Sequence, residues 1–97
     1  MIKHIVCFRL KDNSEAECLK TKEILLSMKG NVPMLRGIEV GTDFLHSERS
    51  YDVVLQVVLD NAEDLDAYQN DPYHCSVVKT HMHSVSESSI AIDYVIE

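Results

Sequence analysis

The stretch Leu65-Asp66-Ala67-Tyr68-Gln69-Asn70-Asp71-Pro72-Tyr73-His74 decides how the rest of the chain is read. Its first half continues a short amphipathic helix that Asn61 can cap, with Glu63 and Asp64 suited to the positive end of the helix dipole. The residue before a proline disfavours the helical region, so this helix is expected to stop near Asn70. Pro72 fits the first turn of a second helix, in which His74, Val77 or Val78, and His81 recur at helical spacing. Tyr68 and His74 flank the break, on the sides expected to face a sheet.

Strand patterns lie on either side of this broken helix. Tyr51 to Leu59 alternates most clearly: Tyr51, Val53, Leu55, Val57 and Leu59 share one face, and Asp52, Val54, Gln56 and Val58 the other. At the start of the chain, Ile2, His4, Val6, Phe8 and Leu10 share a face against Lys3, Ile5, Cys7 and Arg9. Leu35 to Phe44 reads as a further strand, with Gly37 and Gly41 as bends, and Ile90 to Ile96 as the last. Between the first two strands, Ser14 and Glu17 form a Ser-x-x-Glu capping box. The helix they open is expected to run to about Lys29, burying Cys18, Leu25 and Met28, with Leu19, Ile24 and Leu26 widening the stripe. Gly30 suits the residue after its end.

The order is β-α-β-β-α-β, a ferredoxin-like α+β arrangement in which one antiparallel sheet carries the helices on one face. At 97 residues the chain forms a single domain, residues 1–97. The uncovered sheet face should be polar, yet Ile5, Cys7, Val54 and Val58 lie on it. A broad apolar face marks an interface. A homodimer in which two such sheets pack face to face and close into a barrel is therefore expected.

Asp and Glu outnumber Lys and Arg 16 to 9, giving a net charge of −7. The basic residues are scattered and cannot track phosphates, so neither nucleic acid nor an anionic membrane is an expected partner. No run approaches the roughly 20 apolar residues of a membrane helix, and the opening residues do not read as a signal peptide. Three cysteines, Cys7, Cys18 and Cys75, without paired spacing suit a reducing cytoplasm. With no His-x-x-x-His and no Cys-x-x-Cys, no structural metal is expected.

Several short motifs occur in a particular order: Ile2-Lys3-His4-Ile5-Val6 with Phe8, Gly41-Thr42-Asp43, Ser50-Tyr51-Asp52, Ala67-Tyr68-Gln69-x-x-Pro72-x-His74, and Ala91-Ile92-Asp93-Tyr94. In that order and spacing the chain resembles the stress-responsive α/β-barrel domain family, often called Dabb, over nearly its whole length. The resemblance implies the dimeric α/β-barrel fold. Most members have no assigned reaction; one branch, that of the polyketide cyclase olivetolic acid cyclase, works in a cavity between sheet and helices. The histidine essential to that branch is matched by His74, its assisting tyrosine by Tyr68, and a further cavity histidine by His4. A fourth histidine is not matched, because Val53 stands there. Another branch consists of heat-stable plant proteins that assemble into rings and act structurally.

The site expected on these grounds has Tyr68 and His74 as its chemical pair, in a pocket lined by His4, Val6, Val53, Val77 and Val78. A neutral imidazole can take a proton near pH 7, while a phenol polarises a carbonyl. This suits cofactor-free acid–base chemistry on a small carbonyl-bearing or aromatic molecule. Two other readings stay open at this level: a structural or stress-associated oligomer without turnover, and a cofactor-free monooxygenase. Asp52, Asp93 and Tyr94 read as strand-end solvation and packing.

Overall fold

A computed structural model describes residues 1–96. Its elements are β1 (Ile2–Leu10), α1 (Glu15–Leu26), β2 (Gly37–Thr42), β3 (Val53–Leu59) and α2 (Ala62–Gln69). A π-helical stretch (His74–Lys79) then leads into α3 (Thr80–Val85), and β4 (Ser86–Val95) comes last. The strands form one antiparallel sheet in the order β2-β3-β1-β4.

The alternation in β3 is the reason the sheet has an inside. Val53, Leu55, Val57 and Leu59 are all buried. They stand opposite Phe8, Val6, His4 and Ile2 of β1. These inward residues pack against Cys18, Leu25 and Met28 of the α1 segment, and against Tyr68, Val78 and Met82 from the second helical region. The opposite face brings Ile5 and Cys7 beside Gln56 and Val54 on one flank and Ile92 and Ile90 on the other. No helix covers it: Ile90 is 53% exposed, Ile92 60% and Tyr94 43%.

Helix boundaries follow local chemistry. Ser14 Oγ accepts from the Glu17 N–H at 3.3 Å, as a capping box requires. The Ser14 N–H, which Glu17 was expected to bind, instead donates to Asp12 Oδ1 at 3.0 Å. α1 stops three residues early, at Leu26, and the chain unwinds through turns to Gly30, whose φ of +85° is the left-handed value glycine permits. Leu19, expected in the buried stripe, is exposed. At the proline break, Asp71 Oδ2 accepts from the His74 N–H at 3.0 Å. Asp71 thus caps the helix that Pro72 opens.

Strand ends differ from expectation at β2, which also begins two residues late, at Gly37, and at β3 and β4. β2 ends at Thr42 because Asp43 turns its carboxylate onto the His46 N–H at 2.7 Å; Phe44 is left 90% exposed beyond it. β3 begins at Val53, and Tyr51 lies under the Arg9 guanidinium at 4.3 Å. β4 begins at Ser86, four residues before the apolar alternation. Its serines pair with Leu10, Arg9 and Phe8 of β1 across a register shift at Arg9/Leu10. Backbone pairing to a preformed strand needs no apolar side chain, so composition concealed this extension.

Asp52 does more than solvate a strand end. It is buried, its backbone N–H donates to the Phe8 carbonyl at 2.8 Å, and its Oδ2 accepts from the Leu10 N–H at 2.7 Å. It thereby satisfies the β1 backbone just where the β1–β4 register slips. Asp52→Ala should leave the Leu10 N–H unpaired and cost about 1–3 kcal/mol in urea unfolding, with the native circular dichroism spectrum retained.

Candidate functional site

Between the inner face of β1 and β4 and the second helical region lies a cavity of about 620 Å³. Val6, Phe8, Leu55 and Ala91 give it apolar walls, while His4, Tyr68 and His74 line it together. Three elements supply these three rings: β1, the last turn of α2, and the first residue of the π-helical stretch. The Tyr68 ring stands edge-on to His4, with centroids 5.8 Å apart, and tilts over His74 at 4.3 Å.

The π-helical stretch determines which side chains face this cavity. An α-helix would place residues 74, 77 or 78, and 81 on one stripe. The wider i→i+5 turn shifts that stripe to His74, Val78 and Met82, which are the buried residues of this region. Val77 points outward and is exposed. Val53 belongs to the buried core and is not part of the cavity wall. Of the expected apolar lining, Val6 and Val78 are there, and Leu25, Leu55 and Ala91 join them. His81 leaves the stripe and bonds Thr21 of α1 through Nε2 at 3.0 Å.

Each imidazole has its Nδ1 engaged by the protein. His4 Nδ1 bonds the carboxylate of Asp93, the residue directly opposite it on β4. A carboxylate there accepts a hydrogen bond from Nδ1–H and so fixes the tautomer with the lone pair on Nε2. His74 Nδ1 lies 3.2 Å from Met28 Sδ, and the Tyr68 hydroxyl points to the same sulfur at 3.8 Å. Among the described residues neither Nε2 has a hydrogen-bond partner, yet neither is a buried unsatisfied atom; that condition is met by Ser86 Oγ. Both Nε2 atoms therefore reach accessible space.

Asp93 is the member that sequence reasoning placed wrongly, as packing. The signal was present: Asp93 is out of phase with Ile90, Ile92 and Tyr94, so it shares the inward face with Ala91. The environment also separates the rings electrostatically. Burial pushes the Tyr68 phenol well above its usual range, so it remains a proton donor. Burial first, then the nearby Lys79 ammonium, lowers His74 to about 4. His74 is thus neutral throughout the physiological range.

That depression ties stability to pH. In the unfolded chain His74 binds a proton near its ordinary value of about 6.5; in the folded chain it does so only near about 4. The unfolded state holds more protons between those values, so stability present above pH 6.5 drains away as pH falls toward 4. Urea unfolding at pH 7 and pH 4.5 should show a loss about 2 kcal/mol larger in the wild type than in His74→Gln.

The fold has counterparts. A dimeric protein of ferredoxin-like fold from Bacteroides fragilis is 27% identical, with 98% of this chain and 95% of that one covered at a TM-score of 0.83. A dimeric ferredoxin-like protein from Thermobifida fusca is 22% identical, covering 98% and 90% at 0.82. The hydroxynitrile lyase of Passiflora edulis is 15% identical, covering 99% and 93% at 0.78. A search among curated proteins finds no match. The sequence matches the profile of the stress responsive A/B barrel domain over residues 2–96. With its antiparallel sheet and one-sided helices, the chain belongs to that family, Dabb.

Proposed function

We propose that two copies of this chain pair through their open sheet faces, and that each inner cavity binds a small carbonyl-bearing or aromatic molecule and promotes cofactor-free acid–base chemistry on it. The observation that carries the chemical half is the row His4–Tyr68–His74, with two free Nε2 atoms on either side of a phenol in an apolar cavity. Tyr68 supplies an un-ionised hydroxyl to a carbonyl oxygen, and an imidazole removes a proton from the adjacent carbon. His74 is open to that proton but is a weak base. His4 is held in orientation by the Asp93 carboxylate behind it. The hydroxynitrile lyase supports the reading at the level of the scaffold: a fold of this kind houses an enzyme.

The dimeric half rests on Ile5, Cys7, Ile90, Ile92 and Tyr94, which together form an apolar strip along the uncovered face of β1 and β4. The dimeric Bacteroides fragilis and Thermobifida fusca proteins, which share the fold, agree with it. Light scattering at low micromolar concentration should give twice the 11.0 kDa chain mass, and Ile92→Asp should give the single chain. A wild type that remains a folded single chain overturns the pairing.

The chemistry is tested by tracking α-proton exchange of phenylacetone in D2O by NMR. The wild type should exceed buffer at equal imidazole content by about 10²-fold or more. His4→Gln and His74→Gln should each lose most of that excess. Exchange no faster than free imidazole, with the dimer intact, would remove the enzymatic reading and leave a structural oligomer.

A further inference from the structure

The cavity contains one fixed positive charge. Lys79, the last residue of the π-helical stretch, lines it half-buried, and its Nζ donates to the Gln69 carbonyl at 2.8 Å. Two ammonium hydrogens remain. Among the described residues no carboxylate comes within ion-pair distance of it, in a chain whose net charge is −7. The one carboxylate in the lining, Glu87, is exposed. Lys79 thus brings an unneutralised ammonium to the cavity wall, and it wants an acceptor.

We infer that the ligand is a small organic acid, its carboxylate held by Lys79 and its body lying on Val6, Phe8 and Ala91. The inference rests on the proposed ligand site and adds the charge of what enters it. A carboxylate on this ammonium gains a charge-assisted hydrogen bond at the cavity wall, where the ammonium is half-buried. A neutral ketone of the same shape gains none, which makes the pocket selective for 2-oxo and 3-oxo acids over simple ketones.

Phenylpyruvate and phenylacetone share a benzyl ketone body, and the first carries a carboxylate where the second has a methyl. Binding of each to the full chain is read from amide shifts at Val6 and Ala91. Wild type should prefer phenylpyruvate by about tenfold, and the preference should shrink as salt rises. Lys79→Met should bind the two alike, and Lys79→Arg should keep the preference. Lys79 could instead serve only to cap the C-terminal end of α2. The Met variant would then lose thermal stability while retaining the preference, and the inference would fall. Phenylacetone bound as tightly as phenylpyruvate by the wild type overturns the inference and spares the site. Binding of neither overturns both.

Discussion

Among the described residues β1 is the strand that β4 pairs with. The helices pack chiefly over β2 and β3, and β4 is exposed along nearly its whole length. Both surfaces of one strand are thereby left without a protein partner from the same chain. On the inner side the gap between β4 and the π-helical stretch is the cavity. On the outer side the same strand carries Ile90, Ile92 and Tyr94 into solvent. Burying these side chains would stabilise an assembly by roughly 25 cal/mol for each Å² removed from water, so the strand that opens the cavity also carries the exposed apolar strip.

The polar groups of the cavity are distributed unevenly. His4 is tied to a carboxylate across the strand pair, and its orientation is determined by the β1–β4 register. His74 is carried by a helix start that Asp71 and Pro72 fix from below. One imidazole is placed by the sheet and the other by the helices, and Tyr68 stands between them. A change in the distance between the layers would alter the spacings of His4 to Tyr68 and to His74, and leave the Tyr68–His74 pair, both on the helical side, as it is. The π-turn belongs to the same scheme, because it rotates Val77 out and Met82 in without moving His74 from the cavity.

The order of elements was legible in the sequence because β3 alternates without fault and Pro72 breaks the second helix where Asp71 can cap the next one. The cavity's two best residues, Tyr68 and His74, were legible from that same break. The β4 serines were not, since their strand character comes from pairing with β1 and not from their own composition. Val77 and His81 were misplaced by assuming 3.6 residues per turn where the backbone widens. Asp93 was missed for another reason: its role depends on the residue opposite it, 89 positions away. Cross-strand partners of that kind emerge only once the register is known.

Among the described residues, Met28 is the sole partner of both the Tyr68 hydroxyl and the His74 Nδ1. Sulfur in a thioether accepts hydrogen bonds feebly, so these two groups are positioned by the shape of their surroundings and only lightly tethered. A carbonyl oxygen is a far better acceptor than the sulfur, so either group would exchange partners readily once one came within reach. Tyr68 and Met28 are both fully buried, so for the phenol that exchange requires the side chains packed over it to give way.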